Sequence, residues 1–178
     1  MDRKLKNEEL DRPELSSFKE MPKNPLVLVL DNIRSLNNVG AAFRTADAFA
    51  IEAIYLCGIT AKPPHREINK TALGATESVD WKYFENTLDA VEALKKKRYR
   101  CLSIEQTEGA VNLHEFSVDP TERLALFFGH EVKGVQQEVV DACDGAIEIP
   151  QFGTKHSLNI SVSVGVVLWD LLSKINRW

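Results

Sequence analysis

The sequence predicts an α/β fold, a mainly parallel sheet flanked by helices. Three observations predict it. Leu26-Val-Leu-Val-Leu30 and the run from Leu124 to Phe128 are continuously apolar, as expected of strands buried on both faces. Helical patterns alternate with such runs along the chain, strand then helix, repeatedly. The length of 178 residues, with 44% apolar and 27% charged side chains, suits one globular domain with a substantial core.

Each element follows from local pattern. Residues 1–24 carry six basic and six acidic side chains and little apolar periodicity. They read as an N-terminal extension, with a short helix from Glu14 to Met21 after Pro13, ahead of a domain over 25–178. The first strand, Leu26 to Leu30, ends at Asp31-Asn32. Val39 to Ala50 reads as a helix with Asn38 as N-cap. Ala53 to Cys57 is a second buried strand, closed by Gly58. Residues 60–78 form a polar loop with short helical pieces. Val79 to Phe84 is a strand. Thr87 to Lys97 is an amphipathic helix, with Leu88, Val91 and Leu94 spaced at three. Tyr99 to Ile104 and Leu124 to Phe128 are strands, Val135 to Cys143 a helix, Gly145 to Ile149 a short strand, and Ser157 to Ile175 a last long helix.

Composition excludes several classes. No window of ~20 apolar residues is present, so no membrane span is expected. The charged N-terminus lacks a signal peptide's apolar run. Cys57, Cys101 and Cys143 have neither CxxC spacing nor an even count, which points away from a disulfide framework and toward a reducing cytoplasm. A net charge of −4 argues against a DNA coat protein but leaves room for a local basic patch. The run Lys95, Lys96, Lys97, Arg98, Arg100, interleaved with Tyr99, reads first as a solvated helix end and second as an RNA contact. No G-x-G-x-x-G follows the first strand. Gly129-His-Glu-Val-Lys-Gly134 lacks the lysine and hydroxyl order of a Walker A loop. His156 beside Ser157 is no nucleophile elbow. The four histidines lack metal-ligand spacing, so no metal site is expected.

In parallel sheets, ligands bind beyond the carboxyl ends of the strands. Three such ends carry unusual polar sequences: Asp31 to Arg44, Gly129 to Gly134, and Pro150 to Asn159. Each has an ordinary structural explanation alone. Asn38 with Arg44 is a helix cap followed by a surface arginine. Glu131 is a loop carboxylate beside some cation. Ser157 is an N-cap with Asn159 in the first turn. Gly40 and Ala41 keep the first helix thin enough for close approach by backbone or ligand. The three together, in this order, point to one composite site.

The ordered set resembles the SpoU, or TrmH-type, branch of the SPOUT RNA methyltransferases. Asn38-Val-Gly-Ala-Ala-Phe-Arg44 matches the first motif, Leu126-Phe-Phe-Gly129-His-Glu131-Val-Lys-Gly134 the second, and Ile149-Pro150-Gln-Phe-Gly153 with Ser157-Leu158-Asn159 the third. Lys70 to Glu77 also resembles a family loop. The match covers roughly 25–175. Asn37 and Gln151 depart from the usual residues without removing a proposed catalytic side chain.

The resemblance implies S-adenosylmethionine-dependent methylation of a ribose 2′-hydroxyl of tRNA or rRNA by a homodimer. It also implies a C-terminal trefoil knot across Leu124 to Ser161. On the matching positions, Gly129, Ile149 and Leu158 are expected to hold the cofactor, with Glu105 at a cofactor hydroxyl. Replacing Gly129 by a bulky residue is expected to block the adenosine slot while sparing the fold. Arg44 is expected at the catalytic centre, gripping a phosphate or a developing alkoxide through its planar fork. Asn38, Glu131, Ser157 and Asn159 would fix it, the cofactor and the ribose. A non-catalytic RNA-binding dimer with this fold is the competing reading. A base-directed SPOUT methyltransferase is a third, disfavoured by Ser157-Leu158-Asn159.

Overall fold

The computed structural model describes residues 3–175; the last three residues of the expected domain lie outside them. Seven strands form one parallel sheet: β1 Asn24–Asp31, β2 Ile51–Cys57, β3 Trp81–Phe84, β4 Arg100–Ile104, β5 Val111–Asn112, β6 Leu124–Phe128 and β7 Gly145–Glu148. Their order across the sheet is β3-β2-β1-β6-β4-β7-β5. The central pair β1 and β6 runs in register, with Leu28 opposite Leu126.

Among the described residues, seven α-helices accompany the sheet: α1 Leu15–Glu20, α2 Leu36–Ala48, α3 Arg66–Ala72, α4 Ala75–Ser78, α5 Thr87–Lys96, α6 Gln137–Ala142 and α7 Ile160–Lys174. Alternation along β1 divides the core. Leu26, Leu28 and Leu30 join the side chains of α2 and α7. Val27 and Val29 face the opposite layer, with Leu94 of α5 and Val139 of α6. Both layers bury β1, which accounts for its unbroken apolar run.

The differences from the sequence reading are local. Asn38 is not the N-cap of α2. Ser35 is, its Oγ accepting from the Asn38 backbone N–H at 3.2 Å, so the helix starts one turn earlier than expected. Asn159, not Ser157, caps α7, accepting from Ser161 N–H at 2.9 Å. Residues 66–72 and 75–78 are true helices separated by Leu73 and Gly74, both with positive φ. β5 went unforeseen because two residues carry no periodicity. Gly40 does permit a close approach, by α3: a Cβ there would lie 2.3 Å from the Ile68 carbonyl oxygen. In α1, Phe18 is buried beneath Lys23, whose Nζ stands 3.1 Å from the ring centroid.

The basic run sits at the amino ends of the strands, away from the motif segments. Several of its cations are paired: Lys95 with Asp144 at 2.9 Å, Lys96 with Glu92, and Arg100 with Glu122. Nearby, Arg123 donates to Glu52 at 2.9 Å and to the Tyr99 hydroxyl at 2.6 Å. These pairs favour the solvated-end reading over the RNA contact.

Candidate active site

The site is built from the turns that follow β1, β4, β6 and β7. After Phe128 the chain folds back on itself. His130 and Gly134 exchange backbone hydrogen bonds, with N–O distances of 3.0 and 2.8 Å. The His130 imidazole reinforces the turn, its Nδ1 accepting from Val132 N–H at 3.0 Å. This fold-back leaves no room at Gly129. A Cβ there would sit 2.0 Å from both Gly134 C and Val135 N. Gly134 has φ +69° and packs on the Glu105 carboxylate. The expectation that a larger residue at 129 would spare the fold is therefore corrected: the neighbour it meets is backbone, not an open slot.

A cavity of about 450 Å³ opens beside this turn, within the usual size range for small-ligand sites. Four of the residues expected at the cofactor, Glu105, Gly129, Ile149 and Leu158, line it, as do Glu131, Ser157 and Asn159. Glu105 accepts from Gln106 N–H at 2.9 Å through one oxygen and from Val135 N–H at 3.0 Å through the other. Across the cavity, Gln106 Nε2 donates to the His156 carbonyl at 3.2 Å, tying the loop before α7 to the turn after β4.

One chain of hydrogen bonds joins the three motifs. Glu131 accepts from Ser35 N–H at 2.9 Å, Arg34 N–H at 3.1 Å and Asn38 Nδ2 at 3.3 Å. Asn38 Oδ1 in turn accepts from Asn159 Nδ2 at 3.2 Å. Partial burial pushes the Glu131 carboxyl up, and the N–H groups aimed at it outweigh that, leaving its pKa below the ordinary carboxylate value. The motif-two carboxylate thus fixes the start of α2, and Asn38 ties α2 to the cap of α7.

Two expected residues stand apart. Asn38 touches the cluster but does not line the cavity, and Arg44 does neither. Arg44 is exposed on α2 and has no ion-pair partner among the described residues. Ser157 lies at the rim, exposed and capping nothing. Sequence reasoning missed Asp31, whose buried carboxylate accepts from Gln136 N–H directly after the turn. The signal was present: an aspartate closing an apolar strand needs donors somewhere.

The remaining chemistry narrows. Burial pushes the thiols of Cys57, Cys101 and Cys143 up to about 12, so none is a ready thiolate nucleophile. Among the described residues no group of three or more His, Cys, Asp and Glu could hold a metal ion, and no helix is long and apolar enough to cross a membrane. What the site offers is a cavity with apolar and backbone walls, carboxylate acceptors, and a hydrogen-bonded frame joining two helix starts.

A parallel α/β sheet with its cavity beyond the carboxyl strand ends places this protein among the α/β folds in which ligands bind at that edge. Residues 25–169 match the SpoU rRNA Methylase family, and the chain belongs to it. Over 154 residues it is 28% identical to a tRNA (guanosine(18)-2′-O)-methyltransferase of Borreliella burgdorferi, covering 86% of this chain and 69% of the relative. Over 174 residues it is 29% identical to the 23S rRNA (guanosine-2′-O-)-methyltransferase RlmB of Haemophilus ducreyi, covering 97% and 70%. Among solved structures, the TrmH/SpoU tRNA modifying enzyme of A. aeolicus superposes with a TM-score of 0.79 at 26% identity, covering 92% of this chain and 81% of that one.

Proposed function

We propose that this protein is an S-adenosylmethionine-dependent RNA methyltransferase acting on a ribose 2′-hydroxyl of tRNA or rRNA. The single observation that carries the reading is the Glu131–Asn38–Asn159 chain, which draws the three family motifs into one frame beside the cavity. The named relatives act on guanosine 2′-hydroxyls of both RNA classes, which supports the reaction and leaves both substrates in it.

The residues present fit the cofactor. Gly129 exposes backbone, Ile149 and Leu158 offer apolar surface suited to an adenine, and Glu105 and Glu148 offer acceptors for hydroxyls or a cationic end. When bound, S-adenosylmethionine supplies an activated methyl group, so the protein's work is positioning, which contributes up to ~7–11 kcal/mol in well-oriented reactions. Arg44 is proposed to grip an RNA phosphate bidentately and to stabilise charge on the attacking oxygen. It stands outside the cavity of its own chain, so the bound RNA, or a second copy, must bring the reacting ribose between them. Ser157 and Asn159 are proposed to orient that ribose, and Glu131 to hold α2 in place.

The reading includes a homodimer. Val162, Val166 and Trp169 on α7 are 50%, 38% and 61% exposed, and Val166 and Trp169, with Leu113, Ile149 and Pro150, border an apolar groove next to the cavity. A second copy of the chain is proposed to cover this face. The trefoil knot across Leu124 to Ser161, an N-terminal extension over 1–24 ahead of the 25–178 domain, and a cytoplasmic setting belong to the same proposal. Labelled methyl transfer to total tRNA and rRNA tests it: incorporation into RNA supports the enzyme, and RNA binding without incorporation supports a non-catalytic RNA-binding dimer instead.

A further inference from the structure

Asp31 closes the central strand and is fully buried at 0% exposure. A carboxylate taken out of water there is costly unless its oxygens are satisfied. They are: Oδ1 accepts from Thr87 Oγ1 at 2.6 Å and Asn32 Nδ2 at 2.9 Å, and Oδ2 accepts from Gln136 N–H at 3.1 Å. All three partners donate. Thr87 opens α5, Asn32 opens the turn into α2, and Gln136 caps α6 at the end of the 129–135 turn. One residue earlier, Val135 N–H is held by Glu105 from the end of β4.

Two strand ends therefore grip consecutive amides where the cavity-lining turn leaves the site. The start of that turn is pinned as well, because Gly129 packs directly on Gly134 and Val135. Asp31 itself does not line the cavity. We infer that Asp31 is a positioning residue: it fixes the exit of the turn that walls the cavity, so ligand affinity depends on a carboxylate the ligand never touches. This rests on the cofactor reading above only for the identity of the ligand.

An amide cannot do the same work. Asparagine has one acceptor oxygen for three donors, and its NH2 would face either Gln136 N–H or the Asn32 amide. Asn32 cannot simply turn over, since its Oδ1 already accepts from Ile59 N–H at 3.1 Å. Thr87→Val is the matched control, removing one donor to Oδ1 while leaving Oδ2 on Gln136.

The test measures amide exchange at Gln136 and S-adenosylmethionine affinity in the full chain, below the melting points of all variants. Asp31→Asn is expected to speed Gln136 exchange and to weaken the cofactor, each by about tenfold, the loss of one charge-assisted hydrogen bond. Thr87→Val is expected to lower the melting temperature and leave both readouts near wild type. If Asp31→Asn does not fold, the wild-type chain decides. Gln136 N–H bonds no backbone carbonyl, yet it should exchange as slowly as Val139 and Val140 inside α6. Fast Gln136 exchange in the wild type overturns the inference. So do unchanged exchange and affinity in Asp31→Asn, and equal shifts in Thr87→Val. A wild-type protein that binds no S-adenosylmethionine sinks the cofactor reading alone, because Gln136 exchange still reports on the clamp.

Discussion

Gly129→Ala is expected to damage the fold and the cavity together. The added Cβ would lie 2.0 Å from Gly134 C and from Val135 N, where contacting carbons rest at ~3.5–4.0 Å. The 134–135 backbone must retreat by about 1 Å or more. Two restraints oppose that retreat: the reciprocal His130–Gly134 hydrogen bonds and the grip of Glu105 on Val135 N–H. Overpacking a tight site costs ~1–3 kcal/mol, and loosening one such hydrogen bond adds ~1 kcal/mol. A total of about 2–4 kcal/mol lowers the melting temperature of a chain this size by roughly 4–16 °C. Gly153→Ala is the control, since nothing lies within 4 Å of a Cβ there, and it should stay within ~0.5 kcal/mol of wild type. Calorimetric melting with a parallel cofactor titration reads both effects. A Gly129→Ala protein that melts like wild type would refute the packing argument, even if it bound no cofactor.

Other expectations follow from the same geometry. Arg44→Ala and Arg44→Lys should both lose most methyl transfer in single turnover at saturating RNA, while cofactor affinity holds and stability moves by less than ~0.5 kcal/mol; near-wild-type turnover in Arg44→Ala would remove Arg44 from the active site. Glu131→Gln should destabilise by ~0.5–1.5 kcal/mol at neutral pH, the exposed position discounting its hydrogen bonds. Because folding lowers the Glu131 pKa, its contribution is complete above the unfolded value of ~4.3 and is lost as pH falls through the lower folded value. The difference in melting temperature between wild type and Glu131→Gln should therefore narrow below about pH 4, and a constant difference down to acid pH would contradict the assignment. Light scattering at micromolar concentration should give a dimer mass for the wild type and a monomer mass for Val166→Glu; a monomeric wild type would remove the α7 interface.

The sheet was legible because its central strands are buried on both faces: Leu26 to Leu30 and Leu124 to Phe128 cannot be read as anything half-exposed. The caps were less legible. Serine and asparagine at 35, 38, 157 and 159 are all good N-cap residues, and composition cannot choose among them. Tertiary bonds choose: Glu131 and Asn159 both engage Asn38 side-chain atoms, leaving Ser35 to cap α2. Of the cavity-lining positions, Gly129, Ile149 and Leu158 were reached through the resemblance of their segments to the family motifs, and Glu105 through its place just past the Tyr99–Ile104 strand. Arg44 was placed in the same centre by its motif alone, yet it lies on an exposed helix face outside the cavity. Asp31 was missed because its role appears only once Thr87 and Gln136, far apart in sequence, meet at the end of β1.

Methyl transfer to a ribose oxygen is the chemistry proposed for this site. The most direct measurement incubates the purified chain with S-adenosylmethionine carrying a deuterated methyl and with total tRNA and rRNA, then resolves the digested nucleosides by mass spectrometry. A deuterated methyl is expected on the ribose of one nucleoside, absent with Arg44→Ala. A label on a base, or no label in either RNA from a chain that binds the cofactor, would contradict it.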